Sequence, residues 1–369
     1  MPVEPAAAGP QRKGAEPMAD QRRVLGGPRT ARDRVTIYEV AERAGVSIAT
    51  VSHALNRPEK VNPATRSRVL DAVDELGFTP KASAVSLARK GVGRIGVLAA
   101  FGGYPTYLQR LVGVMEACRE KNIDVVPFDG GVDAEGIEPW LSTLPATGRL
   151  DGLLIMGDGL DEASAARLVQ RRLPTVLVDH LHPDFSCVTV DDEHGGYLLG
   201  RHLIDQGYVE AGREADLVFA GPTPSTAVLT SPGAKRVSGL VRALAESDID
   251  ASAVTLLVTE DDFDGGVAAA QDILTMPRLP RLVVGNHDAV AAGVHLGLSR
   301  RGVRVPEQVA VAGYDGVDIG RAIELTTVSQ PFAETGRLGA QLLLELMSDP
   351  DRARQEIQLS PTLVVGRTA

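Results

Sequence analysis

One short stretch near the front of the chain concentrates small hydrogen-bonding side chains. It reads SIATVSHALN, with apolar residues at helical spacing and Ser47, Thr50, Ser52, His53 and Asn56 at the remaining positions. Hydroxyl, imidazole and amide groups of this size can reach base edges and phosphates in the major groove of DNA. A small solvated helix with ordinary caps is the alternative. These residue types therefore favour binding through hydrogen bonds.

Two clusters of histidine and aspartate raise the question of catalysis. HLHPD spans His180–Asp184 and NHD spans Asn286–Asp288, but neither has the spacing of metal ligands. The sequence also contains no P-loop and no GxSxG elbow. We therefore predict that the protein is not an enzyme and that it has no metal site and no cofactor.

The polar stretch is predicted to be the second of three short helices. Thr36 and Glu39 have capping-box spacing, so the first helix begins there, and Gly45 supplies the left-handed conformation that ends it. Ser47 then caps the second helix, which continues through about Leu55.

A third helix is predicted to begin where Asn62 precedes Pro63 and to end at Gly77. Two helices joined by a tight glycine-containing turn, with a third packed across them, form a helix-turn-helix module. Such a module places its second helix in the major groove, and a slim face of small residues suits that position.

From Arg94 onward, short apolar runs alternate with helical stretches. The runs include RIGVLAA, DGLLIM, PTVLVD, ADLVFAG, PRLVVG and QVAVAGYD, and the helical stretches include YLQRLVGVMEACREK. Continuous apolar strands interleaved with helices indicate parallel sheets covered on both faces, and the length of this part predicts two doubly wound α/β lobes. Ligands of such sheets bind beyond the carboxyl ends of the strands.

Composition and targeting signals favour a cytoplasmic protein. The chain is 44% hydrophobic and 23% charged, which is ordinary for a globular protein. No apolar run approaches the roughly 20 residues that span a bilayer, and the first thirty residues lack the apolar core of a secretory signal. Its two cysteines, Cys118 and Cys187, form no CxxC motif. We therefore predict no membrane partner.

Charge and composition change along the chain. The formal net charge of −10 argues against nonspecific adhesion to nucleic acid, but basic residues are concentrated in the part up to Arg94. Residues 1–33 are rich in Ala, Gly, Pro, Arg and Gln and have no hydrophobic period. They are predicted to be a disordered leader, with a basic arm that assists DNA binding as the alternative.

The order of these motifs closely resembles that of the LacI family of transcriptional regulators. The matching stretches are VTIYEVAERAGVSIATVSHALN, VNPATRSRVLDAVDELGFTP, the segment through Leu87, DGLLIMG, PTVLVDH, VTVDDEHGGYLLGRHLIDQGY, VPEQVAVAGYDG and LTTVSQPF. The resemblance implies an all-α helix-turn-helix domain (34–81), a hinge helix and linker (82–93), and a two-lobe α/β domain like periplasmic binding proteins (94–369) for effector binding and dimerisation.

By the same resemblance, the protein is expected to be a homodimeric transcriptional regulator, most often a repressor in this family. It would bind a palindromic operator in double-stranded DNA under allosteric control by a small metabolite, a sugar or sugar derivative. A solute-binding protein of the transport class would share the two-lobe body. The missing signal peptide and the helix-turn-helix front argue against that reading.

The resemblance also assigns DNA-binding residues. The base-reading positions are Ile48, Ala49 and His53. The other assigned positions are Thr36, Ser47, Thr50, Ser52 and Asn56, together with the hinge leucine Leu87, which would wedge into the minor groove beside Ser83 and Ala84. Ala49 departs from the usual pattern, because alanine cannot make the bidentate base contact of Gln or Asn.

The positions that match the family's effector site lie in both lobes. They are Tyr107, Asp179, Arg236, Phe263, His287, Asp315 and Gln330. Arg236 would offer a fork of donors, Asp315 would accept from hydroxyls, and Phe263 would stack on a sugar face. His287 stands where the family usually has Asn, and GPTPSTAVLTSPGAKR is longer than usual before Arg236. Because both departures lie where ligand would be held, no particular sugar is predicted.

Overall fold

The computed structural model describes most of the chain beyond the front. The described residues are 35–56, 60–78, 93–119, 121, 123–130, 138–157, 160–210, 217–222, 231–250 and 254–369. The predicted leader at 1–33 and the predicted hinge residues Ser83, Ala84 and Leu87 lie outside these ranges. Within the described part, no helix is long and apolar enough to cross a membrane.

The front of the described chain forms a three-helix domain. The helices are α1 (Ile37–Ala44), α2 (Ile48–Asn56) and α3 (Pro63–Leu76). As predicted, the Glu39 carboxylate accepts a 2.6 Å hydrogen bond from the Thr36 amide, and Gly45 ends α1 with a φ of 65°. The core of this domain contains Val40, Val51, Ala54, Val69 and Val73. The predicted helix-turn-helix domain is thus confirmed.

The first lobe is built on a six-stranded parallel sheet in the order β11-β5-β4-β3-β1-β2. Its strands are β1 (Gly93–Ala99), β2 (Ile123–Asp129), β3 (Gly152–Met156), β4 (Thr175–Val178), β5 (Ser186–Val190) and β11 (Glu356–Leu359). Helices α4 (Thr106–Cys118) and α12 (Phe332–Ser348) cover one face, and α5 (Glu138–Thr147) and α6 (Glu162–Gln170) cover the other.

The second lobe repeats this plan in the order β12-β10-β9-β8-β6-β7, with β12 antiparallel to β10. Its strands are β6 (Leu217–Gly221), β7 (Val254–Val258), β8 (Leu282–Gly285), β9 (Ala310–Asp315), β10 (Thr326–Ser329) and β12 (Thr362–Val364). Helices α7 (Asp192–Asp205) and α8 (Pro232–Ala245) cover one face, and α9 (Phe263–Thr275) and α10 (Asp288–Arg300) the other. The short α11 spans Asp318–Ala322.

The predicted pair of doubly wound lobes is confirmed, and the chain passes between the lobes three times, after β5, β10 and β11. Strands β3, β4, β6 and β8 are buried along their whole length, as their continuous apolar runs require. The carboxyl ends of β4, β5, β8, β9 and β10 lead into the cleft between the lobes, which is where ligands of such sheets bind.

Three helix pairs cross so closely that backbone meets backbone. A Cβ at Gly196 in α7 would lie 2.0 Å from the carbonyl oxygen of Arg236 in α8, and a Cβ at Gly239 in α8 would lie 1.9 Å from that of Glu193 in α7. No carbon atom can approach an oxygen so closely without displacing it. These two helices therefore keep their spacing only with glycine at both positions.

The other two pairs repeat the same reciprocal contact. Gly113 in α4 faces the Ala333 carbonyl of α12, and Gly336 in α12 faces the Arg110 carbonyl of α4. Helices α9 and α10 meet in the same way through Gly266 and Gly293. All three contacts lie in the N-terminal parts of their helices, within the first eight residues.

We expect Gly239→Ala to destabilise the second lobe. Alanine would gain helix propensity but would force α7 and α8 apart, at a net cost of about 1–3 kcal/mol. Thermal unfolding would show a lower midpoint for the lobe, whereas Ser238→Ala at the adjacent exposed position of α8 should not lower it. Equal midpoints for the two variants would contradict the close-contact interpretation.

Candidate nucleic-acid interface and inter-lobe cleft

The outer face of α2 presents the predicted base-reading residues to solvent. Ile48, Ala49 and His53 are exposed. Ser47 caps the helix, since its hydroxyl oxygen lies 3.1 Å from the donating Thr50 amide and 2.8 Å from the Thr50 hydroxyl. The face thus combines two apolar side chains and one imidazole with a helix start that is capped by a hydroxyl.

The first turn of α1 adds groups beside this face. The Thr36 hydroxyl donates a 2.8 Å hydrogen bond to the Glu39 carboxylate, and hydrogen bonds from Thr36 lower the pKa of Glu39. Tyr38 in the same turn is largely exposed. Sequence reasoning missed Tyr38, although an aromatic residue at a position off the apolar stripe of α1 is the signal that could have found it.

The helix-turn-helix domain is attached to the first lobe by a nearly buried arginine. Arg171, which follows α6 and is 7% exposed, donates a 2.6 Å hydrogen bond to the Phe78 carbonyl and a 2.7 Å hydrogen bond to the Asp74 carboxylate. Helix α5 of the lobe packs against α2 and α3. This docking leaves Ile48, Ala49 and His53 exposed.

Arg236 organises the second-lobe side of the cleft. Its Nε donates to the Asp192 carboxylate at 2.9 Å, its Nη1 donates to the Asn286 carbonyl at 2.7 Å, and its Nη2 lies 3.5 Å from the Asp315 carboxylate. The guanidinium carbon also lies 4.0 Å from the centroid of the Tyr314 ring. Burial alone would lower the pKa of Arg236, but Asp192 and Asp315 raise it above its usual range.

Two cleft aspartates adopt a backbone conformation that L-residues rarely use. Asp179 has a φ of 65° and Asp315 a φ of 108°. The Asp315 carboxylate accepts a 2.8 Å hydrogen bond from the Gln330 amide, which helps to hold it in place. Burial raises the pKa of Asp315, while Arg236 and His287 act against that shift. Positive φ also occurs at Arg172, Asp248 and Glu324, but only Asp179 and Asp315 belong to this group of ion-paired residues.

His287 pairs with a carboxylate at the rim of the second lobe. Its Nε2 lies 3.0 Å from the Asp261 carbonyl oxygen and 3.2 Å from the Asp261 carboxylate, which also accepts a 2.8 Å hydrogen bond from Asn286. Burial would lower the pKa of His287, but the hydrogen bond and charge of Asp261 raise it overall. The pKa of Asp261 is lowered despite burial, because His287 and Asn286 stabilise its ionised form.

The first-lobe side of the cleft carries a second buried ion pair. Arg110 in α4 is paired with the Asp179 carboxylate at the end of β4. Its guanidinium carbon lies 4.3 Å from the Phe332 ring centroid and 5.4 Å from that of Tyr107. Burial raises the pKa of Asp179, and the charge of Arg110 opposes this shift.

The structure brings most of the predicted effector residues together. Asp179, Arg236, His287, Asp315 and Gln330 form one electrostatic network, and Tyr107 adjoins it through Arg110. Phe263 opens α9 two residues after Asp261, and its ring makes no aromatic or cation–π contact within the described part of the chain. Their roles in ligand binding stay predictions.

Sequence reasoning missed three members of this network. Asp192 and Asp261 closely follow β5 and β7, so the rule that ligands bind beyond strand ends could have found them. Arg110 lies inside a helix and carried no such signal. No group of His, Cys, Asp and Glu among the described residues could hold a metal ion.

Two family models match the chain. Residues 36–81 match the model described as bacterial regulatory proteins, lacI family, and residues 200–369 match a periplasmic binding protein-like domain. The first match coincides with the helix-turn-helix domain, and the second covers most of the second lobe and the returning segments of the first.

Curated relatives match along nearly the whole chain. The ribose operon repressor of Haemophilus influenzae is 30% identical over 335 residues, which cover 89% of this chain and 97% of that protein. The HTH-type transcriptional repressor PurR of Escherichia coli is 31% identical over 339 residues, which cover 90% of this chain and 96% of that protein.

Solved structures share the fold. A LacI family transcriptional regulator from Enterococcus faecium with bound ribose has a TM-score of 0.65 at 24% identity, and the match covers 75% of this chain and 98% of that one. The Lac repressor bound to ONPG has a TM-score of 0.64 at 24% identity, covering 91% of this chain and 100% of that one.

The His287–Asp261 pair predicts a pH-dependent stability. The pKa of His287 is raised above 6.5 in the folded protein. Its contribution to the free energy of unfolding is therefore complete below about pH 6.5 and disappears as the pH rises through the raised pKa. The Asp261 contribution is complete above about pH 4 and disappears as pH falls. The difference in thermal midpoint between the parent protein and His287→Asn should therefore shrink from about pH 6 to about pH 9. The difference in thermal midpoint between the parent protein and Asp261→Asn should shrink over the same pH range. A difference that does not change with pH would contradict a stabilising ion pair between His287 and Asp261.

Proposed function

The chain belongs to the lacI family of bacterial regulatory proteins, and on that premise we propose that it is a sequence-specific repressor that binds a palindromic operator as a homodimer. A small metabolite, a sugar or sugar derivative, controls it allosterically. The observation that carries the proposal is the unobstructed face of α2 on a helix-turn-helix domain that is docked to a two-lobe body.

Base recognition by α2 rests on three exposed side chains. His53 donates to acceptors on base edges, while Ile48 and Ala49 make apolar contacts of the kind that thymine methyl groups accept. Ser47 and Thr50 start the helix with hydroxyls close to the backbone, where they suit phosphates. Because Ala49 offers no hydrogen bond, the base that it faces is weakly specified.

Homodimer formation is supported by an apolar stripe on α4. Leu108, Val112 and Met115 are each more than half exposed and recur at helical spacing along one side of the helix. A continuous exposed stripe of this kind marks a protein–protein contact. A second copy that covers it would give the two-fold symmetry that a palindromic operator requires.

The inter-lobe cleft suits a hydroxylated effector. Arg236 presents donors and Asp315 presents acceptors from the second lobe, and a related repressor is named for the ribose operon. Asp192 and Gln330 lie where the chain crosses between the lobes. A ligand that binds Arg236 and Asp315, the partners of Asp192 and Gln330, would change the relative orientation of the lobes. Contacts that differ between two such orientations are what allosteric control requires.

The protein acts by binding, not by catalysis, and it acts on the DNA of the cytoplasm. Its cleft pairs cations with carboxylates and presents no activated nucleophile among the described residues. Repression follows when the bound dimer blocks a promoter.

Selection of bound sequences from random duplex DNA by the purified full-length protein tests this proposal. The salt concentration must be stated and near physiological, because phosphate contacts make affinity depend on it. Recovery of a palindrome whose half-sites lie about one helical turn apart is expected. No enriched sequence, with or without added cell metabolites, would refute a DNA-binding function.

We expect Leu87→Ala to weaken operator binding by at least about tenfold, because the side chain would no longer support the kink in the minor groove. Fluorescence anisotropy with the selected operator measures the affinity, and thermal unfolding shows that both lobes remain folded. Val365→Ala, at an exposed position of the second lobe, is the control. Operator binding as tight as that of the parent would exclude the wedge.

A further inference from the structure

Arg110 is a buried arginine in the cleft with an unused hydrogen-bond donor. Its side chain is 4% exposed, its Nη2 is paired with Asp179, and its Nε has no hydrogen-bond partner within the described part of the chain. Its partner Asp179 directly follows β4, and the rings of Tyr107 and Phe332 at the starts of α4 and α12 flank the guanidinium, which places it on the first-lobe side of the cleft. A buried donor without a partner is costly and rare in native proteins.

The packing around Arg110 holds this donor in a fixed position. The Arg110 carbonyl faces Gly336 of α12, and the neighbouring turn faces the same helix through Gly113. The guanidinium lies against Phe332 and near Tyr107. The backbone of Arg110 is therefore fixed by the α4–α12 contact, while its side chain is held by the ion pair with Asp179 and by packing on the two rings.

Charge in the cleft restricts what that ligand can be. Arg110 is neutralised by Asp179, Arg236 by Asp192 and Asp315, and His287 by Asp261. No positive charge in this group of residues is left uncompensated. A phosphate or carboxylate would therefore meet surrounding carboxylates without gaining a free cation, and such like-charge contact costs several kcal/mol.

Hydroxyl groups fit the same surroundings. A hydroxyl both donates and accepts, so it can accept from an arginine N–H while it donates to the paired carboxylate. Arg110 offers this arrangement with Asp179 on the first lobe, and Arg236 offers it with Asp315 on the second. A ligand with several hydroxyls touches both lobes without breaking either ion pair.

We propose that Arg110 is a specificity-determining effector contact, and that the effector is a polyhydroxy compound without phosphate or carboxylate, one of whose oxygens accepts from the Arg110 guanidinium. This inference rests on the proposed function as a metabolite-controlled regulator. It adds a first-lobe contact, and the carboxylates that neutralise the cleft cations select against acidic derivatives.

The ligand class is tested by thermal shift and calorimetry on the full-length protein. The probes are ribose, glucose and cellobiose, with ribose 5-phosphate, glucose 6-phosphate and glucuronate as acidic counterparts. At least one uncharged probe should stabilise the protein, and its acidic counterpart should bind at least about 100-fold more weakly. Binding of an acidic probe as tight as that of its uncharged counterpart, or no binding of any uncharged probe, overturns the assignment.

The role of Arg110 is tested with the uncharged probe that binds. Because Arg110→Met alone would leave the buried Asp179 unpaired, the variant is Arg110→Met with Asp179→Asn. Asp179→Asn alone, which keeps an acceptor oxygen, is the reference, because Asp179 is itself a predicted effector contact. Relative to it, loss of the charged donor in the double variant should weaken binding by about 10- to 100-fold. Arg201→Met, which removes an exposed arginine paired with Asp205 outside the cleft, should leave the dissociation constant unchanged.

A purely structural role would give a different result. The double variant would then show a lower thermal midpoint without ligand but the dissociation constant of Asp179→Asn, and that outcome overturns the proposal. Operator selection is scored without any probe. If none of the probes binds as expected, the DNA-binding proposal is unaffected. If operator selection fails, that result does not depend on what the cleft binds.

Discussion

The reciprocal glycine contacts between helix pairs set the geometry on which the cleft depends. In each lobe two helices pack so closely that the backbone carbonyl of one helix lies against a glycine of the other. The glycines are Gly113 and Gly336 in the first lobe and Gly196 and Gly239 in the second. The contacts lie near the helix starts, where the strands end and the functional side chains project. A longer side chain at any of these positions would widen the helix pair at the rim of the cleft and separate groups that now lie within hydrogen-bond distance.

Given that geometry, electrostatics determines what the cleft accepts. Arg110 and Arg236 are buried on opposite sides, and each is held by carboxylates that are themselves strained or desolvated. A buried charge is tolerated only when it is paired, so each pair is a unit that resists disruption. The cleft therefore offers ligands a set of oriented dipoles instead of a net charge. Arg236 and Asp315 belong to one lobe, and Arg110 and Asp179 to the other, so the proposed ligand would contact both lobes.

Much of this architecture could be predicted from the sequence, because long apolar runs and caps are local signals. Strands β3 and β6 and the caps at Thr36 and Ser47 followed from such signals. Strands β5 and β10 did not, since SCVTV and TTVS mix hydroxyl side chains with apolar ones and become buried only between neighbours distant in sequence. Arg110 was hidden for a related reason: an arginine inside an amphipathic helix usually faces solvent, and only the approach of α12 buries it.

The docking of the front domain has a mechanical consequence. Arg171 of the first lobe donates a hydrogen bond to the Phe78 carbonyl, just after α3. At the start of β1, the Arg94 amide donates a 2.7 Å hydrogen bond to the Asp151 carboxylate of the same lobe. Both ends of the connection between the two domains are therefore fixed to one rigid body. Under the proposed function, a rotation of the first lobe at the cleft would carry α2 with it, because the helix-turn-helix domain is docked on that lobe.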